Sequence, residues 1–278
     1  MGRLNAFDLF VEHEFLQRAL LTGIIMGVVL AMLGIFVVLR GLAMIGDGIA
    51  HISFSGIALG LVLGFYPIGT ALVFAVIGGL LIHFLSARRI VTSDTAVGII
   101  FTAGFSFGVI LVSRTGGFNV DIMGVLFGNI YGIAEPEMRL IVIFGGLLFL
   151  TLLVLHKEFL YVTFNDESAR VSGLPVGFLN ALFISLTAAG IVLAAQLVGV
   201  LLVTALLVVP AATSLQFAQS YRSALFLSVA FGVTSVIVGL LASAQYGFAS
   251  GGSIAFATTV FFGVAVVLKK LYSVVRHA

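Results

Sequence analysis

Between Val171 and Tyr221, and again between Ser223 and Leu268, the chain carries no Asp, Glu, Lys, Arg or His. A third run, Gly48 to Ala87, holds only His51 and His83 as titrating side chains besides Tyr66. About 20 apolar residues in a helix cross the hydrocarbon core of a bilayer, so each run has room for two crossings. Of 278 residues, 61% are hydrophobic and 9% charged, and the mean hydropathy is +1.28. Soluble domains carry about a quarter charged residues. In lipid, every backbone polar group must be bonded within its own segment, which selects helices for runs of this length. The expected fold is all-α, a polytopic membrane protein of about eight or nine transmembrane helices in a single domain over 1–278.

The chain has no Cys, which removes disulfides, thiolate metal sites and thiol catalysis. Its net charge of +2 comes from basic residues lying between the apolar runs, where topology accounts for them, so no nucleic-acid partner is indicated. The first run, Ala19 to Leu39, is too long for a signal-peptide core and reads as a retained span. Further spans are expected near 46–64, 68–86, 95–113, 140–155, 178–195, 197–217, 223–242 and 253–268. The segment 120–133 is shorter than a bilayer core and is followed by Glu135-Pro136-Glu137, which predicts a re-entrant or interfacial helix.

Arg88-Arg89, the Lys157 to Arg170 segment, Arg222 and Lys269-Lys270 fall on one side of this arrangement, with Arg114 and Arg139 on the other. The positive-inside rule makes the first group cytoplasmic, the C-terminus with it. Nine crossings with an external N-terminus result, or an even number if the first segments are divided differently. Of the 33 glycines, several recur every four residues, as in Gly56-xxx-Gly60-xxx-Gly64 and Gly104-xxx-Gly108, a spacing that lets helices approach closely in lipid.

Asp47 and His51 open the third run. They lie about 40° apart around a helix, so both side chains point the same way, while Gly56, Gly60 and Gly64 fall on the far side. An ionisable group inside a span costs about 2.5 to 3.5 kcal/mol on the insertion scale, and a bound cation would compensate it. The pair supplies two ligands, fewer than a stable zinc or manganese site requires, and two copies of the chain would supply four. Met44, three residues earlier, offers a thioether, with packing as its alternative role. Asp121 is either an entrance residue for a cation or a helix cap. His83 has no acidic neighbour within a turn and reads as structural, bonded to a backbone carbonyl. Asp94 reads as a helix N-cap.

The segment 156–180 is the longest polar stretch within the body of the chain. Asn165-Asp166-Glu167 has the form of a capped helix start and Gly173-Leu174-Pro175 of a stop, which predicts a stubby helix on the cytoplasmic face. A plain connector is the alternative to a docking knob. The chain has no Gly-x-x-x-x-Gly-Lys-Ser/Thr phosphate loop, so ATP-driven work would need another subunit.

Four blocks together resemble the permease subunit of bacterial and archaeal zinc and manganese ABC importers, over about 16–268. They are Leu39-Arg40-Gly41-Leu42-Ala43-Met44-Ile45-Gly46-Asp47-Gly48-Ile49-Ala50-His51, Ser93-Asp94-Thr95-Ala96-Val97-Gly98-Ile99, Asp121-Ile122-Met123-Gly124-Val125-Leu126-Phe127-Gly128, and the run from Val198-Gly199 through Pro210-Ala211-Ala212-Thr213. The resemblance implies an ABC importer permease fold in the cytoplasmic membrane and no enzymatic activity of the chain itself. It implies partnership with a second permease copy, two cytoplasmic ATPase subunits that bind the ATP, and an extracytoplasmic metal-binding protein. It further implies that Asp47 and His51 lie in the cation pathway and that Asp166, Glu167, Ala169 and Gly173 belong to the ATPase-coupling loop. The final external loop, Tyr246 to Gly252, lacks the Asp and Pro that many relatives carry there.

Three other functions compete. A secondary metal transporter would need more ionisable groups within spans than the leftover His83. An intramembrane metalloprotease would need a His-Glu-x-x-His set that Asp47-Gly48-Ile49-Ala50-His51 does not supply. A permease for a bulky metal chelate would have no use for a bare Asp and His. Carboxylate with imidazole slightly favours zinc over manganese, which would want extra oxygen ligands; iron is not distinguished.

Overall fold

The computed structural model of the chain describes residues 13–114 and 122–277, all helix, turn or loop. In chain order the helices are α1 (Glu14–Leu39), α2 (Ile45–Leu63), α3 (Pro67–Ala87), α4 (Ser93–Arg114), α5 (Ile122–Phe127), α6 (Glu135–Val154), α7 (His156–Phe164), α8 (Asp166–Val171), α9 (Val176–Val198), α10 (Val203–Ser214), α11 (Tyr221–Tyr246) and α12 (Ser250–His277). A single 3₁₀ turn, Ile130–Gly132, separates α5 from α6. Eight of these helices are long and apolar enough to cross a membrane: α1 to α4, α6, α9, α11 and α12.

Local chemistry sets the boundaries. α3 begins on Pro67, whose missing N–H falls where no helical partner exists. α2 ends at Gly64 with φ 72°, and the Phe65 N–H turns back to the Gly60 carbonyl at 2.9 Å. The stripe expected from Gly56, Gly60 and Gly64 is therefore two residues long. Gly56 and Gly60 lie directly against Thr70, Ala71 and Pro67 of α3, whereas Gly64 faces open space as a helix stop. Asp94 sits in the first turn of α4, and the cap is Thr92, whose Oγ1 accepts from the Thr95 N–H at 3.3 Å. An aspartate there still complements the helix dipole.

α1 is buried along most of its length, packed by α6, α9, α10 and α11. α2 is clasped by α3 and α4: Gly104 and Gly108 of α4 lie against Ile52 and Phe54, and the Ser55 hydroxyl donates to the Gly104 carbonyl. Ser228 of α11 likewise donates to the Ala31 carbonyl of α1 at 2.9 Å. In lipid such bonds and close backbone contacts carry much of the association that hydrophobic expulsion drives in water.

The re-entrant expectation for 120–133 agrees with the described part of that segment. α5 is a six-residue helix, far shorter than a span, and Val200 and Leu201 N–H groups donate to its Val125 and Leu126 carbonyls at 3.1 Å. Asp121 lies outside the described residues. The expected span 197–217 has a different form: a turn at Gly199, φ 94°, then the 12-residue α10 with Pro210 inside it. This stretch nonetheless traverses the bundle. At one end Gly251, heading α12, abuts the Val198 carbonyl; at the other, Lys269 near the foot of α12 donates to Gln216 at 3.2 Å. Among the described residues, eight helices are long enough to cross a membrane and this shorter apolar one lies beside them, with Glu14 and Lys269 at opposite ends of the bundle.

Candidate metal-ion site

The sequence from Arg40 to Met44 is a tight turn between two helices. Gly41 adopts φ 67°, and the Leu42 N–H reaches back to the Val37 carbonyl at 2.9 Å, closing α1. α2 starts immediately afterwards, which puts Asp47 in its first turn and His51 one turn further along. Asp47 therefore lies near one end of the bundle, where the Ile45, Asp47 and Gly48 N–H groups are already taken by the Leu42 and Met44 carbonyls. No hydrogen bond or ion pair reaches its carboxylate from the other described residues.

His51 is 7% exposed. Its Nδ1 lies 2.9 Å from the Asp47 backbone oxygen, and because a carbonyl only accepts, Nδ1 carries the proton and Nε2 keeps its lone pair. This is the arrangement by which a second partner fixes the tautomer of a metal-ligating imidazole. Phe101 and Phe105 of α4 hold the ring, with centroids 4.1 and 5.5 Å away. The face expected to be open thus has its imidazole covered by α4, while Asp47 remains partly accessible and Met44 is 53% exposed at the helix start. Sequence reading missed the two rings, although the four-residue spacing of Phe101 and Phe105 on one helix face is a usable signal.

Among the described residues no three His, Asp or Glu side chains converge on one point. Asp47 and His51 thus have no third such side chain beside them, and His83 does not supply one. His83 makes no hydrogen bond to a described residue and lies within electrostatic range of Arg40 and Asp166 at the Arg40 end of the bundle. The backbone-carbonyl partner expected for it is not found.

The polar segment folds into two helices. α7, which sequence reading left as loop, buries Phe159 and Val162 in the bundle. α8 has the anticipated caps: Asn165 Oδ1 accepts from the Ser168 N–H at 2.8 Å, Gly173 has φ 84°, and the Leu174 N–H donates to the Ala169 carbonyl at 3.1 Å. Asp166 and Glu167 are exposed, and Val171 is 89% exposed. Ala169 is fully buried, so it seats α8 and offers no surface to a partner.

A helical bundle with eight helices long enough to cross a membrane, and with a carboxylate and an imidazole in one of them, has the architecture of a membrane permease. The chain belongs to the ABC 3 transport family, whose pattern matches residues 12–269. It is 32% identical over 259 residues to the manganese transport system membrane protein MntC of Halalkalibacterium halodurans, covering 93% of this chain and 89% of that one. It is 33% identical over 254 residues to the manganese import system permease protein ScaB of Streptococcus gordonii, covering 91% of each. Its fold is similar to PsaBC from Streptococcus pneumoniae, solved in complex with Fab, with a TM-score of 0.85, 33% identity and 94% of both chains aligned.

Proposed function

We propose that this chain is the transmembrane subunit of an ATP-driven importer of a divalent transition-metal ion, and that the ion is manganese. The observation that carries the reading is the pairing of an Asp47 carboxylate, bonded by no other described residue, with a His51 imidazole whose tautomer keeps the Nε2 lone pair, both on one membrane helix. Two copies facing each other supply two carboxylates and two imidazoles, and water or backbone oxygens complete the six-coordinate shell that manganese prefers. Manganese takes precedence over the zinc slightly favoured by ligand type because MntC and ScaB are named for it. The basic residues at the Arg40 end make that end cytoplasmic, which leaves the N-terminus outside and exposes α8 to the ATPase subunits. An extracytoplasmic binding protein delivers the ion to the opposite end.

The deciding experiment is uptake of radiolabelled manganese, zinc and ferrous iron into proteoliposomes containing the chain and its nucleotide-binding subunit, with the extracytoplasmic binding protein supplied at the outer face. Manganese uptake that requires ATP is expected, with zinc and iron slower, and the permease alone should hydrolyse no ATP. Absence of ATP-dependent uptake of all three ions overturns the reading; faster zinc overturns the choice of metal only.

Gly173→Val tests the loop. At φ 84° a β-branched residue is strained, so the stop of α8 should distort. Membrane insertion should be unchanged while metal uptake falls about tenfold, the effect of a strain of roughly 1–3 kcal/mol. Wild-type uptake would remove α8 from the coupling path.

A further inference from the structure

Arg40, at the end of α1, makes a set of contacts that no adjacent segment provides. Its Nε donates to Thr163 Oγ1 at 2.9 Å and its Nη1 to Asn180 Oδ1 at 2.8 Å, while Nη2 makes a longer contact of 3.5 Å to the Phe159 carbonyl. The guanidinium carbon lies 4.4 Å from the centre of the Phe183 ring. One side chain therefore joins the end of α1 to α7 and to α9, across sequence separations of 119 to 140 residues.

The connection continues in both directions. Outward, Tyr161 of α7 donates to the Ser168 carbonyl at 3.3 Å and shares a 2.9 Å hydrogen bond with Ser172, so α7 and α8 are fastened together. Thr163 Oγ1 also donates to the Phe159 carbonyl at 2.6 Å, which fixes the oxygen that Arg40 holds. Inward, Arg40 precedes the four-residue turn that leads into α2, and Asp47 stands in the first turn of that helix. Burial lowers the Arg40 pKa to about 10, with Asp166 opposing the shift, so the group is cationic at neutral pH. A planar guanidinium with its donors in a fixed fork serves several acceptors at once, which a single ammonium does not.

We infer that Arg40 is the positioning residue that carries displacement of α8 into the α1–α2 turn, and so to Asp47 and His51. The inference rests on the reading of α8 as the ATPase contact. When an ATPase subunit moves α8, α7 moves with it, and the guanidinium fork pulls on the turn from which the metal ligands start. A purely anchoring Arg40 would instead affect folding, subunit assembly and transport in parallel.

The test is the ratio of manganese imported to ATP hydrolysed by the permease–ATPase complex in proteoliposomes supplied with the extracytoplasmic binding protein. Arg40→Met should lower the ratio about tenfold, within the span seen for residues on coupling routes, while the ATPase subunit still co-purifies and hydrolyses ATP. Arg40→Lys should restore part of the ratio. The double variant Thr163→Val with Asn180→Leu keeps the cation and removes two acceptors, so it should lower the ratio even if Arg40→Met fails to assemble. A wild-type ratio in Arg40→Met or in the double variant overturns the inference, as does a parallel loss of assembly and transport in both. Glu167→Arg, on the exposed face of α8, separates the two levels. If it releases the ATPase subunit while the Arg40 variants keep a wild-type ratio, only the link through Arg40 fails. If it leaves binding and ratio unchanged, the docking role of α8 fails and the link falls with it.

Discussion

Asp47→Ala and His51→Ala should each reduce metal uptake to the level of membranes without the complex. Each substitution acts on both copies of the permease and removes two of the four side-chain ligands. Loss of an outer-shell partner typically costs 10- to 100-fold in metal affinity, so loss of two direct ligands should cost at least about 100-fold. Asp47→Asn should fail as well, because it keeps the shape and removes the charge that offsets the ion's lost hydration. The two positions differ in their effect on stability. The Asp47 carboxylate makes no hydrogen bond with another described residue, so its removal should leave expression and thermal stability unchanged. His51→Ala removes a ring held by Phe101 and Phe105 together with a hydrogen bond to the Asp47 carbonyl, and should destabilise by about 2 kcal/mol or more. His51→Gln keeps more of the side-chain volume and is the fairer test of ligation. Uptake of radiolabelled manganese by cells lacking other importers, normalised to the amount in the membrane, is the measurement. Wild-type uptake in Asp47→Ala and His51→Gln would make the pair structural.

Gly34→Val should prevent the permease from folding. Gly34 lies in the C-terminal part of α1, and a Cβ placed there would overlap the Leu207 backbone carbonyl of α10. A flexible side chain could turn aside, but a carbonyl inside a helix moves only with its helix. The expected cost exceeds about 3 kcal/mol, above the usual penalty for an overfilled core. Gly146→Ala on α6 is the control: nothing lies within 4 Å of its Cβ, and helix propensity alone predicts no loss. Size-exclusion profiles and thermal unfolding in detergent distinguish the two. A monodisperse Gly34→Val protein with wild-type stability would show that α1 and α10 do not need so close an approach.

Much of the helical layout was legible because the constraint behind it is local. A segment crossing lipid must satisfy its backbone within itself, so uncharged runs give the spans, and Pro67, Asn165 and Gly173 mark boundaries through their own φ preferences or side-chain oxygens. At 197–217 the same reasoning finds the apolar run but not its form: Gly199 turns the chain beside α5, and only twelve residues with an internal Pro210 are helical. The caps at Asn165 and Gly173 announce only one helix in 156–180; α7 has no side-chain cap and is held by the burial of Phe159 and Val162, which depends on the rest of the bundle.

Sequence by itself determined which groups are costly in a membrane. Charge is so scarce that Asp47 and His51 stand out, and helical spacing alone places them on one face. Tertiary structure decided what each group can do. The bond from Nδ1 to the Asp47 carbonyl sets the imidazole tautomer, and packing by Phe101 and Phe105 sets its exposure; neither is encoded in spacing on α2. Nothing in the sequence singles out Arg40; folding brings it onto Thr163, Asn180 and Phe159. Those partners lie more than a hundred residues away, and a guanidinium reaches them only after α1, α7 and α9 have packed. Local propensity specifies helices one at a time, whereas a shared hydrogen-bond network depends on all of their positions at once.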